Sequence, residues 1–167
     1  MSFRRGLTLV ELMVALAVLG ILAGVAVPYL LGNLPTYRVN GAARQVLGDL
    51  RLARTLAVEH GIQAFVAFDV AQRRYTVGLD TDEDESWDPA RDETVKTVDL
   101  RELYPGIEFG SQGGDTVTFT SPDAVARFTA DGTSQGGSVF LRPEGDTSGE
   151  RDRAVVVSAT TGRVRIE

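Results

Sequence analysis

The sequence predicts an α+β protein in which one long N-terminal helix packs against an antiparallel β-sheet domain. One observation is an apolar run that continues into an amphipathic helical pattern ending near residue 61. The other is a series of short β-rich segments with closely spaced turns from residue 62 to residue 167. The length of 167 residues fits one anchor and one domain of roughly 100–130 residues.

The apolar run over residues 7–31 is long enough to cross a membrane as a helix. It carries a single charged side chain, Glu11, and about twenty apolar residues span the hydrocarbon core of a bilayer. Arg4 and Arg5 precede it, which favours a cytoplasmic N-terminus with the rest of the chain on the other side. A carboxylate in such a segment is costly unless it is paired or interfacial. Glu11 is therefore the leading functional candidate.

Two simpler interpretations of this run stay open, a secretory signal peptide and a plain membrane anchor. The run is longer than the apolar core of a signal peptide, and it ends in Val27-Pro28-Tyr29 instead of a small-residue cleavage site. A plain anchor would need neither Gly6 nor Glu11. Pro28 removes the backbone hydrogen bond to the carbonyl of Gly24, which predicts a kink in the helix.

Residues 32–61 are predicted to continue the helix as an amphipathic segment. Gly32-Asn33-Leu34-Pro35 predicts a second interruption, after which apolar residues recur at steps of three and four on one face. Gly61 follows His60 as a helix stop. The residues of this face are Val39, Ala43, Val46, Leu50, Ala53 and Ala57.

The β-rich region is predicted to cover residues 62–167. Val70-Ala71-Gln72-Arg73 is a hairpin candidate, and several glycines and prolines separate the later segments. The predicted strands cover residues 62–68, 74–79, 94–100, 107–109, 116–120, 125–128, 138–142, 153–158 and 163–166.

Composition argues against several classes of function. The net charge is −6, so the chain lacks the broad basic surface of a generic nucleic-acid binder. There is no cysteine and only one histidine, His60, at a predicted helix end. No catalytic site can be assembled from these residues, so we predict that the protein is not an enzyme.

The N-terminal motif resembles the cleavage signal of type IV prepilins and type II secretion pseudopilins. Gly6 is followed by Leu7-Thr8-Leu9-Val10-Glu11 and the long apolar run. The resemblance implies a leader over residues 1–6, cleavage after Gly6 by a prepilin peptidase, and N-methylation of Leu7. Leucine stands where the family usually has phenylalanine. The resemblance also implies that Glu11 assists assembly with other pilin or pseudopilin subunits.

Electrostatics gives a reason for the acid. Cleavage would leave a positive α-amine on Leu7, and packing of such helices in a bundle would bring that amine into a low-dielectric setting. Glu11 of the same or a neighbouring subunit can supply the counter-charge. A buried pair of this kind also favours one axial register over others.

The C-terminal half resembles the GspH/FimT group of minor pilins and pseudopilins. The resemblance lies in Phe128-Thr129-Ala130-Asp131-Gly132-Thr133, in Val155-Val156-Val157-Ser158 and in Gly162-Arg163-Val164-Arg165. It implies a pilin-like fold, with a long helix against two sheets. It also implies a single-pass protein of the bacterial inner membrane, with a periplasmic domain, that joins a type II secretion pseudopilus.

The alternative is a minor pilin of a type IV pilus that binds DNA. Arg163 and Arg165 alternate on the last predicted strand, so both point to one face, and a Gly-Arg-x-Arg ending contacts DNA in some members of the group. Two solvent-facing arginines would fit the pattern equally.

The acidic segment after Leu79 offers a weak calcium candidate. Asp80, Asp82 and Asp84 have the alternate spacing of calcium loops. The glycine and the final glutamate of such loops are missing, since Glu85 follows Asp84 and Arg91 holds the twelfth position. No other cofactor is expected, and a solvated acidic loop explains the same pattern.

Overall fold

The structure is a computed structural model that describes residues 8–119 and 124–167. The chain divides into two units, one ending at Leu34 and the other covering Pro35–Glu167. Two helices are assigned, α1 (Leu9–His60) and α2 (Leu100–Leu103). The strands are β1 (Ala64–Asp69), β2 (Arg74–Leu79), β3 (Glu93–Asp99), β4 (Ile107–Phe109), β5 (Val125–Phe128), β6 (Gly137–Pro143), β7 (Arg153–Val157) and β8 (Val164–Ile166).

The helix α1 is assigned without a break through both prolines. The interruption predicted at Gly32-Asn33-Leu34-Pro35 is therefore wrong. A proline removes only one N–H donor, so the neighbouring hydrogen bonds can persist. The side-chain amide of Asn33 also donates to the carbonyl of Tyr29 at 2.9 Å. A kink at Pro28 stays a prediction.

The C-terminal part of α1 carries the predicted apolar face. All six predicted residues of that face are fully buried. The helix ends at His60, as expected. Gly61 adopts a left-handed conformation, with φ at +70°, and its N–H donates to the carbonyl of Ala57 at 3.0 Å.

Two four-stranded antiparallel sheets follow the helix. The first has the order β3-β2-β1-β5 and the second has the order β4-β6-β7-β8. The predicted hairpin is confirmed, since β1 pairs with β2 in a register from Ala64↔Leu79 to Asp69↔Arg74. The prediction of an α+β fold with a long helix and antiparallel sheet is likewise confirmed.

Two predicted strands differ from the structure for local reasons. The strand predicted to reach residue 100 ends at Asp99, because the Asp99 carboxylate accepts from the N–H of Arg101 at 2.8 Å and caps α2. The strand predicted at 116–120 is reduced, over its described residues, to the bridge Val117↔Val139. There the Thr118 hydroxyl accepts from the Ser138 N–H at 3.0 Å. The hydroxyl takes the place of the backbone carbonyl that would accept this hydrogen bond in a regular strand pair.

The hydrophobic core joins α1 to both sheets. It combines the buried face of α1 with inward side chains of the first sheet, such as Val66 and Val77, and of the second, such as Val139 and Val155. Both sheets are thereby fixed to one helix.

Candidate functional site

The start of α1 is built around Thr8 and Glu11. The Thr8 hydroxyl accepts from the backbone N–H of Glu11 at 3.2 Å, and the Thr8 carbonyl accepts from the N–H of Leu12 at 3.2 Å. Thr8 therefore caps the helix in the Thr-x-x-Glu pattern, a start signal that is local in the sequence. Gly6 and Leu7, the predicted cleavage and methylation sites, lie outside the described residues.

The N-terminal part of α1 exposes its apolar side chains. Each large apolar residue from Leu9 to Leu31 is between 50% and 75% exposed within this chain. Among the described residues, α1 is the one helix whose length and composition would allow it to cross a membrane. Such a surface is unfavourable in water. Glu11 is an exposed carboxylate in its first turn.

The acidic segment after β2 brings the three predicted aspartates together. One carboxylate oxygen from each of Asp80, Asp82 and Asp84 lies within 4.8 Å of the others. Asp82 and Asp84 are exposed, whereas Asp80 is 1% exposed. Burial raises the pKa of Asp80 above its ordinary value. The N–H of Glu85 donates to Asp80 Oδ2 at 3.0 Å and lowers the pKa by a smaller amount.

A second buried acid, Asp92, stabilises the same segment through hydrogen bonds to its backbone. Asp92 accepts from the N–H of Thr81 through Oδ1 at 3.1 Å and from the N–H of Asp88 through Oδ2 at 2.8 Å. Arg91 lies over the exposed acids, with Nη1 3.6 Å from Asp82 Oδ2 and 4.0 Å from Asp84 Oδ2. These contacts fix the ends of the segment and leave its acidic middle at the surface.

Trp87 holds this segment against the first sheet. Its ring centroid is 6.0 Å from that of Phe65, and a Cβ added to Gly78 would lie 2.1 Å from the indole Cζ3. The indole therefore lies directly on the β2 backbone where only a glycine leaves room.

The C-terminal arginines line one groove. Arg163 and Arg165 border a surface cavity of about 550 Å³ together with Val156, Ser158 and Thr161. The two arginines line the same groove, but Arg163 lies just before β8, which begins at Val164 and not at residue 163 as predicted. Arg165 also forms an ion pair with Glu167, which lowers the positive charge offered to a ligand.

Three further arginines of α1 have structural contacts that the sequence did not reveal. Arg38 donates to the carbonyl of Pro105 at 2.9 Å, Arg51 to that of Val164 at 3.1 Å and Arg54 to that of Gly132 at 2.9 Å. They attach distant loops and β8 to the helix. All three lie outside the apolar face of α1, and the sequence pattern does not indicate their partners.

Two family models match the sequence. The family model described as type II transport protein GspH matches residues 42–161, and the prokaryotic N-terminal methylation motif matches residues 1–27. A comparison with curated proteins finds no significant match.

Solved structures with the same fold include two minor subunits. The minor pseudopilin EpsH from the type 2 secretion system of Vibrio cholerae has a TM-score of 0.56 and 18% identity, over 78% of this chain and 96% of that chain. The type IV minor pilin FimU of Pseudomonas aeruginosa has a TM-score of 0.53 and 17% identity, over 77% of this chain and 87% of that one. Because the GspH model covers more than half of the sequence, the chain belongs to the GspH family of type II transport proteins.

Proposed function

We propose that this protein is a minor pseudopilin, a structural subunit of the pseudopilus of a type II secretion system. One observation carries the proposal: an exposed apolar helix with a single carboxylate continues into the β-domain of the GspH family. The corresponding minor subunit of a type IV pilus is the alternative, and the likeness to FimU is compatible with it. The family and the fold are those of structural subunits.

The proposed life cycle begins in the inner membrane. Arg4 and Arg5 favour a cytoplasmic N-terminus, and the β-domain then faces the periplasm. A prepilin peptidase cuts after Gly6 and methylates the amine of Leu7, in line with the match to the methylation motif. The apolar helix then moves from lipid into a bundle of similar helices, where the same side chains stay out of water.

Glu11 supplies the specific contact in that bundle. The Leu7 amine lies one helical turn away in sequence and carries a positive charge that needs a partner at low dielectric. Glu11 of the same or an adjacent subunit provides it and favours a single axial register. Removing only the carboxylate leaves an unpaired buried amine, so assembly is lost while membrane insertion is retained.

The test compares Glu11→Ala with Glu59→Ala in cells that carry the cognate secretion system. Glu59 is an exposed acid near the other end of α1 and serves as the matched control. We expect Glu11→Ala to remain cleaved and membrane-bound but to lose cross-linking to neighbouring subunits, while Glu59→Ala cross-links normally. Normal cross-linking of Glu11→Ala would refute the role of the acid. A leader still attached in the wild-type chain, measured by mass spectrometry, would refute the proposed processing.

DNA binding is a second candidate function, favoured by the groove that Arg163 and Arg165 share. Two arginine forks over one groove can contact neighbouring phosphates. If they do, the double change of Arg163 and Arg165 to alanine removes a salt-dependent gel shift of duplex DNA. Arg44→Ala, at an exposed arginine of α1, should leave the shift intact. Absence of any shift with the wild-type chain at low salt would eliminate this candidate.

A further inference from the structure

The loop between β2 and β3 gathers three carboxylates at a spacing suited to a single cation. One oxygen each from Asp80, Asp82 and Asp84 lies within 4.8 Å of the others. Calcium binds oxygen at 2.3–2.6 Å, so ligands on opposite sides of one ion are about 5 Å apart. The three oxygens therefore fit around one calcium ion without a large rearrangement.

Asp80 provides an independent indication of a missing ligand. It is 1% exposed, and its N–H donates to the carbonyl of Gln63 at 2.9 Å, which holds it at the end of β2. Its Oδ2 accepts from Glu85, but its Oδ1 is buried and has no hydrogen-bond partner within 3.5 Å among the residues that the structure describes. The backbone N–H groups of Glu83 and Asp84 exert a weaker, longer-range effect on this carboxylate. A buried carboxylate oxygen without a partner is costly, and a bound cation would satisfy it.

The basic side chain nearest to the cluster does not fill this role. Arg91 contacts Asp82 and Asp84 at 3.6 and 4.0 Å and Asp88 at 3.8 Å, and its side chain is 65% exposed. Within the described parts of the chain, no ion pair joins Asp80 to a basic residue. The guanidinium of Arg91 thus neutralises part of the charge of Asp82 and Asp84 and does not pair with Asp80.

We infer that Asp80, Asp82 and Asp84 form a calcium site that ties the loop after β2 to the first sheet. The three carboxylates supply part of the shell, and backbone carbonyls and water complete the six to eight oxygens that calcium takes. Magnesium needs a near-ideal octahedron at 2.0–2.1 Å, which an exposed loop does not impose. Arg91 competes with the ion for Asp82 and Asp84, so its removal strengthens calcium binding.

Trp87 makes the site measurable. It is the single tryptophan of the sequence, lies in the same loop as the three aspartates and packs on Phe65 of β1. Calcium is titrated into the full-length protein in detergent, after removal of metal by chelation, while tryptophan fluorescence and the melting temperature are recorded. We expect a saturable fluorescence change with a Kd of roughly 0.1–1 mM, a range found for modest calcium sites, and a rise in melting temperature.

Variants at exposed positions keep the test independent of folding. Asp82→Asn and Asp84→Asn should each weaken calcium binding by about tenfold or more, because each removes a charged ligand. Asp88→Asn is the matched control, since Asp88 also contacts Arg91 but is not part of the cluster. It should change the Kd by no more than about threefold, which is within the effect of one nearby surface charge. Arg91→Gln should lower the Kd.

Three results would overturn the calcium site. One is the absence of any fluorescence or melting response to calcium at about 5 mM, several times the weakest Kd expected. Another is a magnesium response as strong as that to calcium at equal concentration. The third is an equal loss of calcium binding in Asp88→Asn and Asp82→Asn, which would mean diffuse attraction to an acidic loop.

Discussion

At the scale of single residues, Asp49 is the clearest case of a polar group that secures packing. It lies on the buried face of α1 at 4% exposure. Its carboxylate accepts from the Tyr75 hydroxyl at 2.6 Å, from Lys96 Nζ at 2.6 Å and from the amide of Gln45 at 2.9 Å. Burial is the main cause that raises the pKa of Tyr75 above its ordinary value, and the hydrogen bond to Asp49 raises it further. The phenol therefore stays protonated and donates.

Asp49→Ala is expected to lower the free energy of unfolding by about 1–3 kcal/mol, because it leaves the buried Tyr75 hydroxyl without its acceptor. Urea unfolding of the full-length protein in detergent, followed by circular dichroism, measures the change. Tyr75→Phe is the control. It removes the donor but leaves Asp49 with Lys96 and Gln45, so it should cost about 1 kcal/mol or less. A larger loss in Tyr75→Phe than in Asp49→Ala would contradict this explanation.

Candidate site residues stand out where their signal is local in sequence, and their roles stay predictions. Glu11 was evident from one charge in a long apolar run, and Asp80 from its spacing to Asp82 and Asp84. Asp49 was not, because it occupies a core position of an otherwise regular helical pattern and its partners Tyr75 and Lys96 are distant in sequence. Only the pairing of the helix with the first sheet brings these groups together.

At the scale of elements, two glycine turns join the regions that carry the family resemblance. Gly132 adopts a φ of +79° and Gly162 a φ of +59°. A Cβ added to Gly162 would lie 2.2 Å from the Gly132 carbonyl oxygen, which itself accepts from Arg54. The turn after β5 and the turn before β8 therefore pack backbone to backbone on α1.

Gly162→Ala is expected to be strongly destabilising, since it combines a left-handed backbone with a steric clash. Gly145→Ala is the matched control, because Gly145 has a φ of +75° and a Cβ there would meet no described atom within 4 Å. The control should cost about 1–2 kcal/mol from backbone strain alone. The same urea unfolding experiment compares them, and equal losses in the two variants would show that the close approach to Gly132 has no energetic weight.

The elements were predicted well where periodicity alone decides them. The core face of α1 and the β1–β2 hairpin follow from steps of three, four and two along the chain. The end of β3 and the reduced pairing near Val117 depend instead on side chains, Asp99 and Thr118, that take the place of backbone hydrogen-bond partners. A side chain that replaces a backbone partner in this way is a feature of one residue, so it does not alter the periodic pattern of the sequence.

At the scale of the whole molecule, the sequence indicated an α+β fold and its family but not the strand order. The orders β3-β2-β1-β5 and β4-β6-β7-β8 place β5 beside β1 and separate it from β4, its predecessor in the chain. Pairing of that kind depends on the shared core around α1, which no single segment encodes.

Acid stability depends on several surface carboxylates together. Hydrogen bonds lower the pKa of Asp99, Asp131, Glu144 and Asp146, through Arg101, Thr129, Arg73 and Ser148 respectively. A lowered pKa means that the folded state binds fewer protons than the unfolded state near the ordinary carboxyl pKa of about 4. These groups therefore stabilise the fold above that value and lose their contribution as the pH falls from it through their lowered pKa values. Asp80, with its raised pKa, acts in the opposite direction.

The melting temperature of the full-length protein should therefore be nearly constant from about pH 7 to pH 5 and fall below about pH 4. Asp131→Asn should flatten this profile, because it removes a carboxylate that accepts from the Thr133 N–H at 3.1 Å and from the Thr129 hydroxyl. Glu59→Gln changes the same charge at an exposed helix position and should leave the slope as in the wild type. Thermal unfolding followed by circular dichroism, in buffer that contains a chelator, measures the melting temperature at each pH. A melting temperature that rises on acidification would mean that Asp80 outweighs the carboxylates whose pKa is lowered.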